Sequence, residues 1–591
     1  AVDPRFTRTA ATADLYAPLR AGSDIALLMG IIRYAIENKR FHEEYVKIHT
    51  NAPLLVNPDY AFHDGVFSGF DAAGGAYAKD SWTYQTDAKT GFAKSDPTLQ
   101  DPHCVFQLLR QHVSRYTPEM VERICGTPKD TFLKVCEIVT STYPPERAGT
   151  ITYALGWTQH STAVQMIRAA AMLQLLLGNV GRPGGGVNAF RGHSNIQGAT
   201  DIAGTFDILP GYLKTPASQW QTLKEYVDAN TPKPLGPSMN YWQNYDKFMV
   251  SLLKAAYGKA ATKENDFGYS WLPKIDGNYS WMYICDDMYR GNSTRAGGKE
   301  QGPEGFISFG MNPVGLGPNS KKWIAALSKL KWLVVVENVE TEASIFWKAP
   351  KEYEPPDASK IQTEVFLLPA ADFAEKDGTF TNSARWMQWK WKAVDPPGQA
   401  RSDQEILARI FLAVRDLYKK EGGALPEAVT NLSWSYTNPA EPDLSEVLKE
   451  INGKALADIP DPKDKTKTLK TAGQQVDGFG QLQADGSTMC GNWLHSGVYT
   501  EAGNNAQRRS TADPNGLGMY HNWAFSWPAN RRIMYNRASA DAEGKPWDPK
   551  RPGIVWNGEK WVGDVPDIKP DSPPGTYGAF IMLPEGVARL Y

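Results

Sequence analysis

A chain of 591 residues is too long for one hydrophobic core, so about two to four domains are expected. The composition, 42% hydrophobic and 22% charged, is that of a globular protein, and a net charge of -2 excludes a global basic field for nucleic acid, so any anion site must be built locally. No run of about 18 apolar residues occurs, which excludes a membrane-spanning helix.

In chain order, the Asp3-Pro4-Arg5 turn leads to a predicted helix over 7–16, and Gly22-Ser23-Asp24 caps a second over 25–37. Residues 50–100 are polar and turn-rich and read as a surface insertion. Helices resume over 105–116 and 118–125, and Thr127-Pro128-Lys129-Asp130 opens another that runs to 140. A β-branched strand over 150–153 ends in Leu155-Gly156 and the polar corner Trp157-Thr158-Gln159-His160. An apolar-periodic helix over 161–177 stops at Gly178-Asn179. A loop dense in glycine (Gly181, Gly184, Gly185, Gly186, then Gly192 and Gly198) presents Arg191 and His193. Such density lets backbone amides come close to something large and anionic. Strand, polar turn and helix form the half-unit of an open sheet, which binds ligands beyond its strands' carboxyl ends.

Residues 203–299 are irregular and aromatic, with helix expected at 221–228 and 245–257. A second α/β block follows, with apolar strands over 306–310, 332–336 and 365–369 and a helix over 321–330. Continuous apolar strands alternating with helices predict a parallel sheet covered on both faces. A helix over 404–421 precedes a charged loop at 457–470 and a Trp-, Gly- and Pro-rich wrap over 478–591. The fold class is α/β, with two doubly wound parallel-sheet domains and a long irregular C-terminal segment. The expected divisions are 1–204 and 301–425 for the two α/β domains, 205–300 for a connection, and 426–591 for the wrap.

Polar residues recur at the predicted strand ends: Asn312 after one strand, Glu337 and Asn338 after the next, and Gly22-Ser23-Asp24 in the first block. Each alone reads as a turn residue; their repetition in two blocks points to nucleotide-like half-sites. A Rossmann GxGxxG is not the organising motif, so a nicotinamide cofactor is not favoured. Arg191, set between a triple glycine and Gly192, is suited to clamp a small carboxylate through a bidentate contact. His193 is a candidate acid/base or a loop-orienting residue, and His160 a ligand contact. The five cysteines lie far apart and show no metal-ligand spacing, so no metal ligand is assigned within these residues.

At these positions the chain resembles the large catalytic subunits of bacterial formate dehydrogenases, in the molybdopterin bis-guanine-dinucleotide oxidoreductase family, and most of all the periplasmic selenocysteine type that uses molybdenum or tungsten. The likeness rests on Val2-Asp3-Pro4-Arg5, Gly22-Ser23-Asp24, Gly156-Trp157-Thr158-Gln159-His160, Leu177-Gly178-Asn179 and the run from Arg191 to Gly198 with Asp201. It continues through Glu375-Lys376-Asp377-Gly378-Thr379-Phe380-Thr381-Asn382, then Arg385, Gln388 and Asp403, to Trp527-Pro528-Ala529-Asn530-Arg531-Arg532 and Tyr535-Asn536-Arg537-Ala538.

The resemblance implies that Arg191 holds formate with His193 nearby. It implies that Gly22, Ser23, Asp24, Leu155, Gly156, Gln159, His160 and Gly192 line one pterin-guanine dinucleotide, and that Asn312, Glu337, Asn338, Lys376, Asn382 and Asp403 line the other. The family's four-cysteine 4Fe–4S cluster, its metal-bound selenocysteine or cysteine and its C-terminal β-barrel have no counterpart in these residues, so the chain reads as a central fragment, inactive alone. The implied function is oxidation of formate to carbon dioxide at a bis-pterin Mo or W centre. Electrons would pass through iron–sulfur clusters to a small electron-transfer subunit, and from there to a cytochrome, in the periplasm. Two alternatives stand beside it: a related enzyme for another oxyanion such as nitrate, and an inactive cofactor-binding scaffold.

Overall fold

The computed structural model describes residues 1–591 apart from 64, 205–206, 277–280, 292–301, 514–515 and 521, and apart from the side chains of 281 and 282. Part of the connection expected over 205–300 therefore lies outside the described residues.

The first lobe is organised around helix α1 (Asp24–Glu37), whose apolar residues run almost all the way round: Ala26 to Ile32 are all buried. A helix hydrophobic on every side belongs in the middle of a core. It packs against α2 (Val105–Val113), α3 (Pro118–Cys125), α4 (Lys129–Thr140) and a long helix further on. The limits of α3 follow from local chemistry. The Thr117 hydroxyl accepts from the Met120 amide at 3.2 Å, Pro118 takes the first turn, and Gly126 ends the helix at φ +70°. The helix expected over 7–16 is only Arg8–Ala11, because Ala17 bridges back to Val2 and pulls the chain out of helical register.

Strand β1 (Thr150–Tyr153) runs into a short helix α5 (Leu155–Thr158), then α6 (Ala163–Leu176), then β2 (Gly186–Ala189). The two strands are parallel, with Thr150 opposite Gly186 and Tyr153 opposite Ala189. The corner expected at 157–160 is thus partly helical. Beyond β2 the chain forms α7 (Ile196–Asp201).

Helices α8 (Leu223–Asn230) and α9 (Tyr245–Tyr257) occupy the connection. They do not stand apart. Tyr226, Tyr245 and Phe248 share one aromatic core with Phe479, Trp493, Trp527 and Trp561 of the C-terminal segment. Phe248 and Trp493 stack at 4.1 Å between centroids, 9° from parallel. Connection and wrap are two halves of a third core.

The second lobe carries β3 (Gly305–Phe309), α10 (Ser320–Leu327), β4 (Trp332–Glu337) and β5 (Glu364–Pro369) in a parallel sheet of order β5–β4–β3. One face is closed by α10, with Leu333 and Val335 packed on Trp323, Ile324 and Leu327. The other is closed only toward the carboxyl ends, where Ile406 of α11 (Asp403–Glu421) meets Val336 and Ala370. Between β5 and α11 lies an antiparallel pair, β6 (Gly378–Thr381) with β7 (Met387–Lys390).

In the wrap, a helix the composition hid, α12 (Leu444–Asn452), is capped by Asp443. The charged stretch 457–470 includes a strand pair, Ile459–Pro460 with Thr468–Lys470. No helix among the described residues is long and apolar enough to cross a membrane.

The first core also buries two histidines. His42 packs edge-on to Trp547 at 4.5 Å, and the His49 Nε2 donates to the Ala540 carbonyl at 2.9 Å. Burial pushes His42 down to about 4 and His49 to about 3. Both are neutral in the fold, whereas the unfolded chain takes up protons below about pH 6.5. Stability is therefore full above that pH and declines as pH falls toward 4 and 3. A melting series from pH 8 to pH 4 is expected to show this decline, and His49→Gln is expected to flatten it.

Candidate functional site

The carboxyl ends of β1 and β2 form a shelf against the amino end of α1. The Trp157 indole donates to Asp24 Oδ1 at 2.9 Å, and a Cβ on Gly22 would lie 3.9 Å from His160 Cδ2. Gly22 itself sits at φ +86°. Ser23 turns its hydroxyl to the Arg20 carbonyl at 2.6 Å. The structure thus gathers Gly22, Ser23, Asp24 and the 155–160 corner. Leu155, Val164 and Phe190 are 64%, 75% and 71% exposed, an apolar rim at these strand ends, and Gly156 and Gln159 are exposed beside it. The Nδ1 of His160 is buried without a partner.

Arg191 leaves this shelf at the end of β2. Its guanidinium carbon lies 5.8 Å from the Tyr153 ring centroid, and Tyr153 stacks on Trp157 at 5.0 Å. No hydrogen bond or ion pair of the described residues engages it. An exposed arginine resting on an aromatic face, with its fork of donors unspent, can take a carboxylate.

The loop then crosses to the second lobe. His193 Nδ1 accepts from the Asn195 amide at 3.0 Å, which leaves Nε2 as the outward donor when the ring is neutral. Asn195 Oδ1 accepts from the Thr381 amide at 2.8 Å and ties α7 to β6. His193 and Asn195 then wall a cavity of about 540 Å³, together with Glu337, Asn338, Lys376 and Asp403. Residues expected at the two half-sites therefore meet through one loop.

The electrostatics of this cavity are mixed. Lys376 pairs with Asp403 and donates to the Ala371 carbonyl at 3.0 Å. The Glu337 carboxyl is raised by burial and then by the charge of Asp403. Lys390 is lowered by burial and then by Lys376, so two ammonium groups crowd one wall. Asn338 donates to Asp372 at 2.9 Å. Paired ammoniums suit a pyrophosphate, and half-buried carboxylates suit the N–H edge of a purine or a ribose hydroxyl. The orphaned His160 nitrogen and the bare apolar rim suit a planar heterocycle on the other shelf. The residues fit dinucleotide groups in both clefts.

Two of the expected residues also close turns of their own. Asn312 caps the turn after β3, accepting from the Gly315 amide at 3.2 Å and donating to Glu342. Asn382 closes the β6–β7 turn by accepting from the Ala384 amide at 3.0 Å and the Trp386 amide at 3.3 Å. Conversely, Lys390 was not among the sequence candidates. Its signal is the alternation of β7, which buries Met387 and Trp389 and turns Gln388 and Lys390 the other way. No group of three or more His, Cys, Asp or Glu that could hold a metal ion occurs among the described residues.

The comparisons with known proteins bear on the same region. The family model described as molybdopterin oxidoreductase matches residues 1–338 and 366–412. Formate dehydrogenase-O major subunit of Escherichia coli (strain K12) is 52% identical over 592 residues, covering 100% of this chain and 57% of that protein. Formate dehydrogenase 2 subunit alpha (cytochrome c-553) of Nitratidesulfovibrio vulgaris is 46% identical over 601 residues, with 100% and 57% covered. Acetylene hydratase from Pelobacter acetylenicus aligns with a TM-score of 0.37 and 14% identity over 76% of this chain and 44% of that one. The chain spans little more than half the length of the curated relatives it matches. On the family match and on identity across its whole length, this chain belongs to the molybdopterin oxidoreductase family.

Proposed function

We propose that the polypeptide to which this chain belongs oxidises formate to carbon dioxide, releasing one proton and two electrons. The observation that carries the reading is Arg191. It is a free guanidinium on a glycine loop at the junction of two dinucleotide-like clefts, in a chain 52% identical to a formate dehydrogenase major subunit. Family membership brings a molybdopterin cofactor with molybdenum or tungsten. We take it as two guanine dinucleotides, one on the shelf of Gly22, Ser23, Asp24 and His160, the other in the cavity of Glu337, Lys376 and Asp403. When bound, the cofactor supplies the two-electron redox centre. The protein's own part is to place and hold charge. Arg191 takes the two carboxylate oxygens and fixes the direction of the C–H bond, and the Tyr153 ring keeps the guanidinium from swinging into solvent. His193, two residues along and lining the neighbouring cavity with its Nδ1 engaged, is suited to steady or shuttle a proton through Nε2.

By the same resemblance we assign an iron–sulfur small subunit as electron acceptor, a 4Fe–4S cluster elsewhere in the polypeptide, and a periplasmic location. One relative's printed name includes cytochrome c-553, which suits a cytochrome further along. The direct test is dye-coupled oxidation of formate by the full-length, cofactor-loaded enzyme, with nitrate reduction measured in parallel. Turnover of nitrate and none of formate would discard the reading.

The cofactor assignment has its own readout. Lys376→Met removes an ammonium from the cavity wall and leaves Asp403 unpaired. It is expected to lower guanine dinucleotide retention about tenfold, roughly one charge-assisted hydrogen bond. Pterin fluorescence and metal content after gel filtration measure it.

A further inference from the structure

Helix α7 separates the cofactor cavity from a second one. Gln197 and Asp201 line a cavity of about 390 Å³ whose other walls come from Tyr212, Trp242, Arg385 and the C-terminal segment. Three lining residues carry polar atoms that are buried and without a partner: Arg385 NH1, Trp527 Nε1 and Ser526 Oγ. The guanidinium and the indole can only donate, and the hydroxyl can donate. The one lining carboxylate is already satisfied. Asp201 accepts from Tyr212 at 2.9 Å and from Gln197 at 2.8 Å, and His495 stands 3.3 Å from its other oxygen. The lining therefore has an excess of unspent donors, and the unpartnered Asp564 carboxylate oxygen belongs to a residue outside that lining.

Arg385 is held in this position at some cost. Its backbone is left-handed, at φ +64°. Its NH2 donates to the Arg532 carbonyl at 2.7 Å, and its guanidinium lies 5.9 Å from the Trp527 ring centroid. Burial, then the neighbouring Arg532, lowers it to about 10, although Asp564 and Asp201 pull the other way. A buried donor left unmade is expensive, and a buried charge more so. Water can satisfy donors, but an anion also adds to the counter-charge that Asp564 and Asp201 supply. The volume is ample for a small anion with its waters.

We propose that this chamber is a binding site for a small monovalent oxyanion of carboxylate or nitrate type, held by Arg385, Trp527 and Ser526. The site is separate from the one at Arg191 and does not depend on which reaction the enzyme performs. Bromide is the probe. Crystals of the full-length, cofactor-loaded protein soaked in bromide are expected to show an anomalous peak within hydrogen-bonding distance of Arg385 and Trp527, and formate or nitrate is expected to displace it. Trp527→Phe keeps the ring and removes one donor; it is expected to weaken bromide binding about tenfold. Arg385→Gln is expected to abolish it, and where that variant fails to fold, Trp527→Phe decides alone. A chamber holding only water at saturating bromide, a cofactor ring found inside it, or a peak unchanged in the variants would each overturn the proposal.

Discussion

Arg191→Ala in the full-length enzyme is expected to lower kcat/KM for formate by about two to three orders of magnitude, the scale of removing a charge-assisted contact in a dry site. Both kcat and KM should suffer. The arginine binds the carboxylate in the ground state and also aims its C–H bond, so part of its contribution appears only as the reaction proceeds. Arg191→Lys should recover only a little, because an ammonium cannot grip both oxygens in one plane or lie flat on the Tyr153 ring. Stability is the control. Arg191 is exposed and makes no hydrogen bond or ion pair with the described residues, so the unfolding free energy should change by no more than about 0.5 kcal/mol. Steady-state kinetics with a dye acceptor and a thermal melt on the same preparation settle it. Unchanged kcat/KM with a normal melt would remove Arg191 from the mechanism and with it the reason for placing formate at this junction.

The elements that carry a local signature were legible. Strand 150–153 and the apolar runs near 306, 332 and 365 appear within a residue or two of their expected places, because each is a short β-branched or apolar run bounded by turn residues. Helix α3 begins and ends where Thr117, Pro118 and Gly126 say it must. What was not legible depends on contacts made far along the chain. The short helix at Arg8 ends early for the sake of a bridge between Val2 and Ala17. The third core joins Tyr245 and Phe248 to Trp493 and Trp561, more than two hundred residues away, and no periodicity announces that.

The site divides in the same way. The Arg191–Asp201 run was readable as a unit, and it does join the two clefts. The amides of Asn312 and Asn382 close their own turns, a use that Asn at a strand end has with or without a ligand. Lys390 could have been found only by asking which way β7 alternates.

The glycine loop supplies the second large effect, and a different reason for its composition. A Cβ on Gly185 would stand 1.9 Å from the Asn179 carbonyl oxygen and 2.9 Å from the carbonyl carbon. These are backbone atoms, so no rotamer relieves the clash; the chain must move. Asn179 is fully buried and cannot move freely. Its side chain accepts from the Gly149 amide at 3.2 Å and donates to Thr142 at 3.0 Å and Gln174 at 2.9 Å. Gln174 in turn donates to the Gly149 and Gly186 carbonyls, one at the start of each parallel strand. Gly185→Ala is therefore expected to destabilise the first lobe by about 3 kcal/mol or more, the range of an overpacked core that also strains buried hydrogen bonds. Its neighbour separates crowding from backbone conformation. Gly184 sits at φ +77° with nothing within 4 Å of a Cβ, so Gly184→Ala should cost only the left-handed penalty of about 1–2 kcal/mol. Denaturant unfolding of both variants gives the ratio, and hydrogen exchange at 186–191 in Gly185→Ala should rise ahead of the rest of the lobe. Equal costs at the two positions would mean that Asn179 gives way easily, and that the loop's glycines serve the approach of a ligand rather than the packing of the chain on itself.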